Sequence, residues 1–312
     1  MMAGRRMPVR GVALVAVLWA VTLFSIMAGS FSLTLQRDSG LLTTVQGRAQ
    51  GMSLADAAVH YAMLMQSLPD PKLRWRSDGT PYQVHLPGGM VRVRLLDEGG
   101  KIDINAAQEA TLVALLTRFT GGPDEAAALS DAILDWRDPD DLTRNRGAES
   151  KEYEAAGKGY GPTNRNFQAL EELQLVRGMT PALFRRLEPL FTLYTGQDGI
   201  NPAKASREAL MALPGLEPSI VDQYLEMRRT TPPNTPLPPL PVQPNGIRLQ
   251  AVGDMAYTVL AESRLPEGEV FGVRAVIKRQ RGRGGAPFAI MAWKPLNLER
   301  PDPNAPGIQP IN

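Results

Sequence analysis

The chain has 312 residues, 34 basic and 32 acidic side chains, a net charge of +2 and 43% apolar residues. This composition excludes a disordered chain, and so small a charge provides no general attraction to polyanions. With no cysteine, disulfides and thiolate metal sites are excluded while the redox compartment stays open; the length suffices for a buried core and more than one structural unit.

Arg5, Arg6 and Arg10 precede Gly11, and the first ten residues contain no acid. From Val12 to Leu35 no side chain is charged. At the helical rise this run covers about 36 Å, more than a hydrocarbon core of about 30 Å. The basic flank keeps the N-terminus cytoplasmic and sends the rest of the chain outward. A cleaved signal peptide would need a shorter apolar core and a small-residue cut, for which Ala28-Gly29-Ser30 is the candidate. A plain single-span anchor also fits the run. The following residues favour a third reading. No proline interrupts Asp38 to Leu68, and Leu41, Leu42, Val45, Met52, Ala55, Val59 and Met63 recur at helical spacings. The pattern predicts one helix of over about 50 residues, apolar in its first half and amphipathic in its second.

Pro69-Asp70-Pro71 ends that helix. Tyr82 to Leu86 and Met90 to Leu96 alternate apolar and polar residues around Pro87-Gly88-Gly89, which predicts a β-hairpin. Two strands do not make a stable sheet. Their partners come late in the chain, at Ala256 to Glu262, Val270 to Lys278 and Phe288 to Lys294, separated by turns at Pro266-Glu267-Gly268 and Gly282 to Gly285. The 98–231 stretch is then a helical insertion between strands of one sheet. Asn105 and Asn201 are candidate N-caps within it. Pro232 to Pro244 reads as a stiff connector back to the sheet, and 298–312 as a flexible tail.

Within the insertion, Asp135-Trp136-Arg137-Asp138-Pro139-Asp140-Asp141 is followed by Gly147-Ala148-Glu149 and Glu152. Like charges packed so closely repel unless water or a cation screens them. Oxygen ligands at irregular spacing suit calcium, whose geometry is loose. An EF-hand counted from Asp138 would need glycine where Thr143 stands, so the loop is not one. A solvated acidic loop with Trp136 tucked into the core is the plain structural alternative.

Two segments further on read as helical hairpins, 173–187 turning at Arg177-Gly178-Met179 and 209–227 turning at Leu213-Pro214-Gly215-Leu216. The second resembles the helix-hairpin-helix turn that offers backbone N–H groups to phosphates, making a membrane-tethered extracytoplasmic DNA-binding protein the rival function. Glu217, Pro218 and Asp222 follow that turn, with no base before Arg228, a poor charge match, while the Gly178 turn has Arg177, Arg185 and Arg186, a better but still thin patch. No catalytic pattern emerges: His60 and His85 have no metal-ligand spacing, and a glycosidase-like carboxylate pair in the acidic loop would need a distance that sequence does not supply.

In this order, basic leader, glycine, long apolar helix, split sheet, helical insertion and acidic loop resemble the protein K family of type II secretion pseudopilins, over nearly the whole chain. The resemblance implies an α+β fold, with a long N-terminal helix packed on an antiparallel sheet and a large all-α insertion domain. It divides the chain into a leader (1–11), the helix (12–68, membrane-spanning over 12–35), a head (69–97 and 245–297), the insertion (98–231), the connector (232–244) and the tail. It also implies prepilin peptidase cleavage between Gly11 and Val12, with methylation of Val12. Most pseudopilins carry glutamate at the fifth mature position, where it neutralises a neighbour's amino terminus; Ala16 stands here, as is typical of protein K, which sits at the filament tip. From the family's acidic loop, Asp138, Asp140 and Glu149, with Asp135 and Glu152, are carried over as ligands of a structural Ca2+ ion. Ser150 and Lys151 stand where the family usually has acids. Asn164-Arg165-Asn166, Leu173 and Val176-Arg177-Gly178-Met179 resemble the stretch that follows the loop in the family. The implied partners are minor pseudopilins of the I and J type, the major pseudopilin, the inner-membrane platform and prepilin peptidase. The chain would cross the inner membrane once, with its head in the periplasm, initiating or capping the pseudopilus without catalysis and without nucleic acid.

Overall fold

The computed structural model describes residues 12–232, 235, 237–251, 253–266, 268–280, 286–296 and 309–310, with only the backbone described for 12, 32–44, 309 and 310. The leader with Gly11, the turn at Gly282 to Gly285 and most of 298–312 lie outside the described residues.

Helix α1, Val12–Ser67, is unbroken for 56 residues, as expected from a stretch without proline. Ala13–Phe31 has a mean hydropathy of 2.1 and is wholly exposed, with Leu14, Trp19 and Phe24 standing clear of any protein surface. Its last third differs: Leu54, Ala55, Ala58, Val59 and Ala62 are buried against a sheet. Gly51 permits the close approach, because a Cβ there would lie 2.0 Å from the Phe271 ring. Ser263 Oγ donates to the Gly51 carbonyl at 2.7 Å. At the end of α1, Gln66 Nε2 donates to the Trp75 carbonyl at 2.8 Å, and the Trp75 ring stacks on Tyr82 at 4.6 Å.

Strands β1 (Asp78–Leu86) and β2 (Gly89–Asp97) form the hairpin, with Gly88 taking the positive φ of +96° that the turn requires. The chain then leaves the sheet. A short strand β3 (Ile102–Asp103) pairs in parallel with β4 (Phe191–Thr192), and between them lie α2 (Glu109–Leu116), α3 (Pro123–Arg137), α4 (Ser150–Ala155) and α5 (Pro181–Leu187). Helices α6 (Arg207–Ala212) and α7 (Pro218–Thr230) follow. Pro123, Pro181 and Pro218 open their helices, where a missing N–H removes no bond. The sheet resumes with β5 (Ala256–Arg264), β6 (Val270–Arg279) and β7 (Phe288–Leu296), and β8 (Gln309–Pro310) pairs with β1. The spatial order is β7-β6-β5-β2-β1-β8, antiparallel except for the β1–β8 edge.

Asp97 pairs with Tyr257. The helical unit thus leaves and re-enters the sheet on adjacent strands, which is how a large insertion fits without opening the ladder. Two cores result. One lies between α1 and the inner side chains of β2, β5 and β6, including Val93, Val259 and Ala275. The other gathers the helices around Ile102, Leu112, Ile133, Trp136, Leu173, Leu210 and Val221. Polar contacts join them: Lys101 Nζ donates to Glu98 at 2.5 Å and to Thr258 at 3.2 Å, Arg274 meets Glu188 at 2.8 Å, and Lys294 meets Glu171.

Two local readings are corrected. Asn105 and Asn201 are not helix caps. Asn105 brackets Phe167, accepting its N–H at 2.8 Å and donating to its carbonyl at 3.0 Å, while Asn201 Oδ1 accepts Ala203 N–H in a turn. Gln108 and Ser206 occupy the cap positions of α2 and α6. The second correction concerns the connector. Leu240 and Ile247 are buried in the helical core, and Leu249 bridges to Ile200. Leu240, Ile247 and Leu249 therefore pack with the insertion, past the expected boundary at 245, because these apolar residues have a core within reach.

Candidate metal site in the acidic loop

Helix α3 fixes the loop from below. Asp131 and Asp135 lie one helical turn apart, and both are buried. Asp131 accepts the Arg146 N–H at 3.1 Å. Asp135 accepts the N–H of Ala148 at 2.9 Å and of Arg144 at 3.2 Å, and the Arg144 guanidinium lies 3.3 Å away. Gly147 sits so tightly over Asp135 that a Cβ would fall 1.9 Å from its carboxylate. Trp136, between them in sequence, turns the opposite way into an aromatic cluster with Tyr153 at 5.8 Å and Phe167 at 6.3 Å. Asp135 thus organises the loop backbone.

The remaining predicted ligands divide into two groups. Asp140 caps Leu142 N–H at 2.9 Å, and Glu152 Oε2 accepts the Glu149 N–H at 2.8 Å at the start of α4. Asp138 and Glu149 differ from these. Asp138 has one oxygen 3.5 Å from Arg144 and the other buried without a partner. Glu149 is 4% exposed, and both its oxygens are buried without a partner. Burial first, then the charges of Asp135, Asp138, Asp141 and Asp140, push the Glu149 carboxyl up to about 7. Burial also raises Asp138, helped by Asp140, and raises Asp135 despite its backbone N–H partners.

Sequence reasoning named Asn164 in the stretch after the loop but did not place it at the site. It takes a positive φ of +47° and donates to the Asp140 carbonyl at 3.0 Å and to Asp141 at 2.7 Å, leaving its Oδ1 buried and unpaired. Its tolerance of the left-handed region was the available signal. Among the described residues no three carboxylates or imidazoles converge into one coordination shell. The loop nevertheless carries four orphaned hard oxygens, two on Glu149 and one each on Asp138 and Asn164. That donor set suits a hard cation.

The hairpins take the expected left-handed turns, Gly178 at φ +87° and Gly215 at +79°. Near Gly215 the bases are engaged internally. Arg207 forms a bidentate pair with Asp222 at 2.7 and 3.1 Å, and the buried Arg228 donates to the carbonyls of Ala205 at 2.7 Å and Pro202 at 3.3 Å. Neither guanidinium is presented to a phosphate beside that turn.

The family described as "Type II secretion system (T2SS), protein K" matches residues 93–196, from the exit strand through the acidic loop and the first hairpin to just past β4. Type II secretion system protein K of Pseudomonas aeruginosa is 24% identical over 70% of this chain and 72% of that protein. Its Klebsiella pneumoniae counterpart is 27% identical over 65% of this chain and 69% of that protein. These comparisons all point to type II secretion system protein K. The fold agrees with the crystal structure of the GspK-GspI-GspJ complex from the enterotoxigenic Escherichia coli Type 2 Secretion System. That match has a TM-score of 0.58 and 17% identity, and covers 82% of this chain and 99% of that one. The α+β architecture read from the sequence is thus that of this solved structure, and the DNA-binding alternative gains no support.

Proposed function

We propose that this minor pseudopilin forms or caps the tip of the type II secretion pseudopilus, anchored in the inner membrane by α1 with its head in the periplasm. Helix α1 carries the reading. One continuous helix is bare and apolar over Ala13–Phe31 and then becomes a wall of the head core. Such a helix needs lipid around its first half before assembly and other long helices around it afterwards. Ala16 removes the charge that would otherwise await a neighbour's amino terminus, which suits a subunit with none above it. The solved relative crystallised with GspI and GspJ motivates partners of those two types here. The major pseudopilin, the inner-membrane platform and prepilin peptidase complete the set. No step of this role makes or breaks a bond in a substrate.

The acidic loop is read as a calcium site that orders residues 138–149. Glu149 and Asp138 would supply the principal oxygens, with Asp140 beside them, while Asp135 and Glu152 hold the frame. Bound calcium would neutralise the buried charge on Glu149.

The deciding experiment is the intact mass of the membrane-extracted chain with and without co-expressed prepilin peptidase. Loss of Met1 to Gly11, with one added methyl on Val12, is the expected result. An uncut chain beside active peptidase would reduce α1 to an ordinary anchor.

A further inference from the structure

A groove of about 550 Å3 runs between α3 and α5, and its lining does not include Asp138, Glu149 or Asn164. Its volume lies within the range of about 300–1,000 Å3 typical of ligand sites. Small and apolar side chains line it, among them Ala128, Ala132, Ala182 and Leu183. Three guanidiniums stand around it, from Arg146, Arg177 and Arg186. Each has a contact that holds it at the rim. Arg146 meets the highly exposed Asp124 at 2.8 Å, Arg177 donates to the Gly147 carbonyl at 3.3 Å, and Arg186 donates to the Phe119 carbonyl at 3.4 Å while lying 5.0 Å over the Phe119 ring. Each guanidinium carries five N–H donors, more than these contacts use. The acid in the lining is Glu125, which accepts the Gly121 N–H at 2.8 Å.

We infer that this groove docks an extended peptide segment of another protein, one that alternates carboxylate and small apolar side chains. Guanidinium forks pair bidentately with carboxylates. The apolar lining takes up side chains between them. A nucleic acid fits less well, because a continuous line of phosphates would run past Glu125 and leave the alanines without a partner. The inference does not depend on how α1 assembles, so processing by prepilin peptidase tests a separate claim.

The test uses the full chain in detergent and a fluorescein-labelled peptide of alternating Glu and Ala with one central Leu. Controls are the same peptide with Lys for Glu, an oligo-dT strand and inorganic phosphate. The Glu peptide should bind with an affinity that falls as salt rises, and the Lys peptide should not. Arg186→Glu should weaken binding at least tenfold. Ala182→Trp, at an exposed position, should do the same by filling the groove while leaving the arginines in place. Absence of Glu-peptide binding, equal binding of the Lys peptide, unchanged affinity in a folded Ala182→Trp chain, or displacement by oligo-dT or phosphate at lower concentration than by unlabelled Glu peptide would each overturn the assignment.

Discussion

Glu149 has its whole carboxylate buried next to four other acids, and this fixes how the loop responds to pH. Folded, it titrates near 7; unfolded, it returns to about 4.3. Between those values the folded chain holds a proton that the unfolded chain has released. Stability without metal therefore falls as pH rises through this window, and above it the buried charge costs on the order of 3–4 kcal/mol. In EDTA, the melting temperature should be higher at pH 5.5 than at pH 8, and calcium should flatten the difference. Glu149→Gln should remove both the slope and the calcium gain, with Asp140→Ala weakening the gain in calorimetric titration. A melting temperature that climbs with pH in EDTA would refute the assignment. Gly147 acts at the same scale through space alone. Gly147→Ala should cost about 1–3 kcal/mol in denaturant unfolding, because its Cβ would displace the Asp135 carboxylate. That Asp138, Asp140 and Glu149 share one acidic loop was legible in the sequence, their role as ligands being what the resemblance implied. That Asp135 and Glu152 are engaged by backbone N–H groups was not, because a carboxylate's partners depend on where the loop closes.

At the scale of elements, α1 and the five long strands follow from local pattern. An uninterrupted helical period and alternation around Gly and Pro turns need no tertiary information. Strand β1 begins at Asp78, four residues before the alternation signals it, because Asp78 pairs with Leu96 across a register shift. The contact that seats α1 was invisible from sequence. Gly51 in an apolar helix reads only as a weak helix former, yet it meets Phe271 on a strand more than two hundred positions away. Gly51→Val should cost about 1–3 kcal/mol by forcing the helix off the sheet. Gly29→Ala meets nothing within 4 Å and should leave unfolding of the head unchanged. Equal effects at the two glycines would show that helix propensity, and not packing, governs both.

At the scale of the molecule, the question is how two cores behave as one protein. Arg228 lies at their junction. Its backbone carbonyl accepts from Arg76 at 2.7 Å, and its guanidinium reaches carbonyls of the helical unit and lies 4.0 Å from Asp78 on β1. Desolvation lowers its pKa while Asp78 works to restore it. Arg228→Ala would leave two buried carbonyls with one donor fewer and weaken the hold on Asp78, costing about 2 kcal/mol. Calorimetry should show the transitions of both cores moving down together. Movement of one alone would mean that the junction does not couple them.

The sequence by itself determined the membrane-length helix, the strands, the helical content of the insertion and the resemblance to protein K, because these rest on periodicity, length and motif order along one stretch of chain. Only the tertiary structure decided the rest. It brought Asp97 and Tyr257 side by side so that the insertion leaves the ladder intact, and it drew Leu240 and Ile247 into the helical core. It also buried Arg228 away from any phosphate and left Glu149 without a partner. Each of these outcomes depends on which distant groups reach a shared space, and desolvation and hydrogen-bond pairing are settled only there.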